Sequence, residues 1–329
     1  AFAIGFSDGG VNEADAARRA ATELRVPLDV VETTRAGYLG GWSEALAQLS
    51  EPVANPGLRL VDLLCRRVAR SHKVVLTGQG ADEPLGGYPR HLAERLYSIG
   101  RHSRRLSGAA ARAFLGPEAG RRISRVLTTP DIIDRFVQIL AVIPPADVDR
   151  MVRSPAAPAL ELARSAVGRW IGAEVDDRLN ALLRVDARLS LADDLLIVAD
   201  HFSMRHGVEL RVPFLDLALL ELVERMPSGY KVSLLGERKW LYRQAARELL
   251  PKALGDALCG WRARVGRKHG FTVPTTEIFA GGNSALVRST AWARAYALHD
   301  HISVAEGARE DPRPQRALHS LVGWASAVA

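Results

Sequence analysis

A chain of 329 residues, 47% hydrophobic and 25% charged, can bury a sizeable core in one or two domains, and its composition excludes collagen, coiled coil and disorder. The net charge of +7 comes mainly from scattered arginines, densest at Arg101, Arg104 and Arg105 and followed by Arg112, Arg121 and Arg122. No zinc-ligand, aromatic-platform or helix-turn-helix pattern accompanies them, so the charge reads as solvated helix faces and an anionic small substrate such as a nucleotide, not as a nucleic-acid patch.

The apolar run AFAIGF at residues 1–6 reads as a buried strand, stopped by the turn cluster Ser7-Asp8-Gly9-Gly10. A fold that opens inside a core strand is expected to have sequence before Ala1. Asn12 is the expected cap of a helix over 13–24, with Ala17, Ala20, Ala21 and Leu24 inward. Residues 28–32 form a second expected strand. Residues 58–70 are amphipathic, with Leu60, Leu64 and Val68 on one face and Cys65 on the apolar stripe as a core residue. The other cysteine is Cys259; no CxxC exists, so neither a metal site nor a disulfide framework is expected. Residues 73–76 form a third strand that runs into a glycine-rich turn. This strand–helix alternation is the rhythm of a parallel α/β sheet.

From about 92 to 190 the pattern is helical and irregular, punctuated by Gly108, Gly116 and Gly120. Asp193 and Asp194 are expected to start a helix that runs to about 206. Residues 208–214 read as extended and closed by Pro213, 217–226 and 239–250 as helices, and 284–329 as a helical tail. No signal peptide and no apolar run of ~18 residues occurs, so the chain reads as cytoplasmic and without membrane contact.

The chemistry is concentrated after the third strand. Thr77-Gly78-Gln79-Gly80 places small residues and backbone N–H groups at the carboxyl edge of a sheet, where phosphates bind. Asp82 and Glu83 follow at once, and adjacent carboxylates beside a phosphate-binding turn suit Mg²⁺. Gly86-Gly87-Tyr88 adds a second permissive backbone segment. On its own the segment reads equally well as a strand-end turn with solvated acids.

The longer stretch at residues 76–90, LTGQGADEPLGGYPR, resembles the LSG(E/D)G(A/G/S)DE(L)FGGY signature of the asparagine synthetase synthase domain. Three further segments resemble that family in its order. They are Glu51-Pro52-Val53; residues 200–216, DHFSMRHGVELRVPFLD; and Lys239-Trp240-Leu241-Tyr242-Arg243 with Lys268-His269-Gly270-Phe271. The resemblance covers about 1–275. It implies an α/β fold with a parallel-sheet adenine-nucleotide α-hydrolase (PP-ATPase, HUP-like) core and large helical additions. These are an insertion at about 92–190 and a helical extension at 276–329.

The resemblance also implies an activity. ATP adenylates a substrate carboxylate, pyrophosphate leaves, and an amine attacks the acyl-adenylate. In the family the carboxylate is that of aspartate and the amine is ammonia released from glutamine. The implied cofactors are ATP and Mg²⁺. Asp82 matches the Mg²⁺-binding aspartate. Thr77 and Gly78 match residues of the AMP pocket, Gly80 and Tyr88 belong to the same nucleotide-binding stretch, and Ile4 lies where the family contacts adenine. Lys239 and Lys268 match cations near the departing pyrophosphate, and Gln79 stands at the position of the base. Plainer roles exist for several: Lys239 and Lys268 as surface charges, Tyr88 as packing, Glu209 and Arg211 as an ion pair inside the core, Asp216 as a helix cap.

The chain departs from the family in three places. The nucleotide loop SGGxDS is absent, and Ser7-Asp8-Gly9-Gly10 lacks its order. An N-terminally truncated fragment is therefore expected, and one that does not make acyl-adenylate alone. The glutaminase domain and its cysteine nucleophile are also absent, so ammonia is expected from a glutaminase domain outside this sequence. Gln79 replaces a carboxylate, and a neutral amide cannot act as a base. β-Lactam synthetases and lasso-peptide cyclases also vary there. Two alternatives stay open: the same chemistry on another carboxylate, and a non-catalytic nucleotide-binding subunit. Substrate identity and oligomeric state are not legible.

Overall fold

A computed structural model describes residues 1–8, 13–49, 53, 55–99, 126–141, 145, 157–172, 175–233 and 235–259. It is mostly helical, with two small parallel strand pairs. β1 (Phe2–Phe6) is followed by α1 (Ala14–Leu24) and β2 (Asp29–Thr33). β1 and β2 pair in parallel, Phe2 opposite Asp29 through to Phe6 opposite Thr33. The alternation of strand, helix and parallel strand follows the expected βαβ rhythm. α1 begins at Ala14 beyond Glu13, which makes no side-chain cap bond; the expected cap Asn12 lies outside the described residues. Of the expected turn cluster Ser7 and Asp8 are described, and Gly9 and Gly10 lie outside the described residues. Asp8 accepts the backbone N–H of Arg35 at 2.8 Å, which occupies one of the orphan donors at the start of the next helix.

α2 (Arg35–Gly40) and α3 (Trp42–Ala47) lead to α4 (Leu58–Val68). Leu58, Val61, Cys65 and Val68 are buried on α4, the spacing of one helical face. Cys65 is thus the core residue expected, and burial first and then the charge of Asp62 push its thiol up to about 11. With Phe6, Tyr38, Trp42, Leu46 and Phe202 this face forms the first core.

β3 (Val74–Leu76) follows α4, and its partner is β4 (Glu209–Arg211), again parallel. Among the described residues the two pairs are separate sheets, not the single sheet that the alternation leads one to expect. The named elements between β3 and β4 are all helices: α5 (Pro89–Ile99), α6 (Ile132–Leu140), α7 (Ala157–Ile171), α8 (Arg178–Asp186), a π-helical stretch (Ala187–Leu196) and α9 (Ile197–Arg205). Gly108, Gly116 and Gly120 lie outside the described residues. Phe136, Ile139, Val167, Ile171, Leu182 and Val185 make a second core here.

Asp193 and Asp194 do not start a helix. The helix starts at Arg178, where the Asp177 side chain accepts the N–H of Asn180, and it continues without interruption through the π stretch to Arg205. Asp194 lies inside it and accepts a hydrogen bond from Asn55 Nδ2 at 3.1 Å. One helical rod therefore serves both cores, through Leu182 and Val185 at one end and Val198 and Phe202 at the other.

Glu209 and Arg211 do pair, at 2.9 Å, but with more than half of each side chain exposed. The expectation of a pair inside the core fails because they flank Leu210 on a three-residue strand and point to its open face. A 3₁₀ turn (Pro213–Leu215) leads to α10 (Leu217–Arg225), capped by Asp216, which accepts the N–H groups of Ala218 and Leu219. A second 3₁₀ turn (Ser228–Tyr230) precedes α11 (Trp240–Leu249) and α12 (Lys252–Cys259). Among the described residues no helix is long and apolar enough to cross a membrane. The expected tail at 284–329 lies outside the described residues.

Candidate active site

The pairing of β3 with β4 continues into the turn, since the Thr77 N–H donates to the Arg211 carbonyl at 2.9 Å. Thr77 is therefore half-fixed, and Gly78 and its successors leave the sheet at its carboxyl end. Gly78 is exposed, and a Cβ there would meet nothing within 4 Å. Gly80 is the opposite case. Its φ is +79°, a conformation that favours glycine, and a Cβ would overlap the Leu215 side chain. The turn is thus seated on the Pro213–Leu215 segment while Gly78 faces open space. The Gln79 side-chain oxygen is buried, with no hydrogen-bond partner among the described residues.

Asp82 closes the turn. Its carbonyl accepts the Gly87 N–H at 2.7 Å, so residues 82–87 form a loop that returns on itself. Its carboxylate Oδ1 lies 2.8 Å from Lys239 Nζ, each side chain 19% exposed. The pair rests directly on Gly87: a Cβ there would overlap both Asp82 Oδ1 and Lys239 Cε. Lys239 stands just ahead of α11 with φ 53° and ψ 39°, a left-handed conformation that non-glycine residues adopt at a cost of order ~1 kcal/mol or more. Its neighbour Arg238 donates to the Gly87 carbonyl at 3.1 Å. Burial, then the nearby Arg243 charge, lower the Arg238 pKa, and Asp82 opposes them. Two cations, Arg238 and Lys239, therefore meet one loop, and the charge of Arg243 acts on Arg238. The sequence motif includes Lys239 and Arg243; Arg238 was missed, and its only signal is its place directly before Lys239.

Glu83 does not join Asp82. It is buried, 1% exposed, and accepts the Tyr88 hydroxyl at 2.6 Å, while its Oε2 has no hydrogen-bond partner. Burial raises its pKa, with the Tyr88 hydrogen bond opposing and the Asp186 and Asp82 charges adding. Burial first and then Glu83 push the Tyr88 hydroxyl up as well. The adjacent carboxylates thus divide: Asp82 toward the cations, Glu83 into the protein. Tyr88 is half-buried and serves the packing of this segment, with the Arg90 guanidinium 4.0 Å above its ring.

Arg90 in turn forms a two-armed pair with Asp186, at 3.0 and 2.8 Å. His91 Nδ1 accepts the Tyr88 N–H at 3.2 Å, which leaves Nε2 to carry the proton toward Asp186 Oδ2 at 2.7 Å. This ties the loop to α8.

Asp82, Gly87 and Lys239 are thus brought together beside Thr77–Gly80. Ile4 belongs to the other strand pair, opposite Val31, and packs against the first core. Lys268 lies outside the described residues. Among the described residues no cluster of three or more His, Cys, Asp or Glu side chains could hold a metal. Mg²⁺ bound chiefly through nucleotide phosphates needs only one or two protein carboxylates, so a single Asp82 at an open backbone turn fits it.

The chain is similar to known proteins of one family. The family model of asparagine synthase matches residues 1–299. An asparagine synthetase [glutamine-hydrolyzing] of Bacillus subtilis is 24% identical over 279 residues, 83% of this chain and 42% of that protein. A provisionally named glutamine-hydrolysing asparagine synthetase of Mycobacterium bovis is 28% identical over 265 residues, 76% of this chain and 38% of that protein. The chain spans about two fifths of the length of the curated relatives it matches.

Proposed function

Because the chain belongs to the asparagine synthase family, we propose that it is the nucleotide-handling part of an ATP-dependent, amide-forming ligase, built on a PP-ATPase-like α/β core. The observation that carries this reading is the ion pair of Asp82 and Lys239, seated on Gly87 beside the open Gly78 turn. Thr77 and Gly78 present backbone to the nucleotide, Gly80 and Tyr88 hold the shape of that segment from behind, and Ile4 is the further nucleotide-side position. Lys239 and Lys268 face the pyrophosphate that departs when a carboxylate oxygen attacks the α-phosphorus. Fixed cations favour that step because the leaving group gains negative charge. Mg²⁺, held through Asp82, supplies further charge neutralisation at the phosphates when bound. An amine then attacks the acyl carbon and AMP leaves. In the relatives' names the amine source is glutamine and the product asparagine; for this chain aspartate and a glutaminase-derived ammonia are the first candidates.

Gln79 supports a second reading, the same chemistry on another carboxylate or amine. Its amide is neutral, so it cannot take the proton that the nitrogen of ammonia must lose on attacking the acyl carbon. One calorimetric experiment addresses both. The full chain is titrated with Mg·ATP, and Asp82→Asn and Lys239→Ala are expected to weaken binding at least about tenfold, as loss of a charged phosphate contact does. Equal affinity in the variants overturns the proposal. Repeating the titration with aspartate and with other amino-acid carboxylates separates the readings: the carboxylate whose presence changes nucleotide affinity is the substrate class.

A further inference from the structure

Lys239 Nζ lies against the carboxylate that the proposed function assigns to a metal ion, so metal and ammonium compete for one negative charge. We infer that Lys239 is a resident counter-cation for Asp82, displaced by the divalent ion and released to the nucleotide phosphates only when metal and nucleotide arrive together. This inference rests on the reading of Asp82 as the metal-side carboxylate.

The geometry carries it in three ways. The Lys239 Nζ to Asp82 Oδ1 separation of 2.8 Å leaves no room for a metal ion on that oxygen. The pair is built in: Gly87 has no side chain where both partners sit, and the Asp82 carbonyl anchors the same loop through the Gly87 N–H. Lys239 is also one of only two described non-glycine residues with positive φ. A left-handed lysine directly ahead of a helix is conformational strain held in place by its surroundings, and here it brings the ammonium to the carboxylate.

The charges then decide what each ligand does alone. With Lys239 in place Asp82 is already neutralised. Bare metal must displace the ammonium from its carboxylate and leave it beside the Arg238 charge. Bare polyanion would draw Lys239 away from Asp82 and forgo that ion pair. Metal and polyphosphate together re-pair every charge, the metal with Asp82 and the phosphates with Lys239 and its neighbours. Loading is therefore expected to be cooperative between metal and nucleotide, with each raising the affinity of the other.

The test uses the full chain and Mn²⁺ as the probe, with free Mn²⁺ read by electron paramagnetic resonance. Lys239→Gly and Lys239→Asn both suit the left-handed backbone and both remove the ammonium. They are expected to bind Mn²⁺ alone about fivefold more tightly than the wild type, the scale of a part-buried ion pair. They are expected to bind Mn²⁺ with pyrophosphate present about tenfold less tightly, because the phosphate cation is gone. If both variants bind Mn²⁺ alone no more tightly than the wild type, while Asp82→Asn abolishes binding, the exchange is wrong and the metal reading stands. If Asp82→Asn leaves Mn²⁺ binding unchanged, the metal reading itself fails and the exchange with it.

Discussion

His91 and Asp186 are both fully buried and bonded to each other, and burial penalises the charge of each. The outcome is unequal. Burial would raise the Asp186 carboxyl, but the His91 hydrogen bond and the Arg90 charge bring it down to about 2. For His91 burial wins over Asp186, and its pKa lies below the ordinary 6.5. The stable state is an ionised Asp186 and a neutral His91. A histidine with a lowered folded value takes up a proton on unfolding, so stability falls as pH drops below about 6.5, with a slope of at most ~1.4 kcal/mol per pH unit. Asp186 acts in the same direction further down, its contribution being lost as pH falls from 3.8 toward 2. Glu83, with a raised value, acts oppositely above pH 4.5. A difference curve therefore isolates His91: urea unfolding from pH 7 to 5 is expected to show a weaker pH dependence in His91→Gln than in the wild type. Parallel curves would show that His91 does not titrate in this window. None of this was legible in the sequence. His91 and Asp186 are 95 residues apart, in a region whose irregular pattern announced helix and nothing more. The Asp216 cap was legible because the cap and its N–H partners lie within three residues.

Among the elements, the turn after β3 gives the cleanest separation of structural from ligand-facing glycine. Both glycines belong to one Thr-Gly-x-Gly segment, and sequence alone assigns them the same permissive role. The structure divides them. Gly80 has φ +79° and sits against Leu215, so its requirement is internal. Gly78 meets nothing within 4 Å, so nothing in the described protein demands its small size. Gly80→Ala is expected to cost on the order of 1–3 kcal/mol through strain and overpacking. Gly78→Ala is expected to change stability by less than about 0.5 kcal/mol and to weaken Mg·ATP binding at least about tenfold, if phosphate approaches the backbone there. Thermal unfolding and nucleotide titration on the two variants check this together; a Gly78→Ala protein that binds nucleotide normally removes Gly78 from the site. The segment was recognisable because a strand end, small residues and acids are local signals. Which acid faces the ligand was not: Asp82 and Glu83 are neighbours in sequence, and only the Tyr88 hydroxyl and the Lys239 ammonium decide that they face apart. β1, β2 and β3 were legible as strands for the same local reason and residues 208–214 only as an extended segment, whereas the partner of β3 and the division into two sheets are matters of long-range pairing.

At the scale of the molecule, two hydrophobic cores are joined by the rod from Arg178 to Arg205, and the helical core is fastened to the active-site segment through α5. That fastening includes a fully buried ion pair. Arg135 on α6 and Glu94 on α5 meet at 2.8 and 3.1 Å, both 0% exposed. Arg135 also donates to the Thr129 and Pro130 carbonyls and lies 3.8 Å from the Tyr97 ring centroid. The guanidinium thus has partners for most of its donors, which is what allows a charge to be kept out of water. Burial raises the Glu94 pKa while the Arg135 hydrogen bond and charge lower it, so Glu94 depends on Arg135 to stay ionised. Removing Arg135 deprives the buried Glu94 of the guanidinium that bonds both its oxygens. Arg135→Met keeps most of the volume and is expected to destabilise the chain by about 3–5 kcal/mol. Arg18→Met, at an exposed pair with Asp15 whose side chains are 46% and 65% open, is expected to cost less than about 1 kcal/mol. The double variant Arg135→Met with Glu94→Leu is expected to recover much of the loss, because keeping a buried carboxylate without its guanidinium, and not the missing attraction, is the main cost. Chemical denaturation of the three variants measures these differences. Nucleotide titration of the same proteins adds the functional side. α5 begins at Pro89, directly after Tyr88, so a loosened α5 is expected to weaken Mg·ATP binding in Arg135→Met and to restore it in the double variant. Destabilisation without any change in nucleotide affinity would show that the helical core supports the fold but does not position the Asp82 loop.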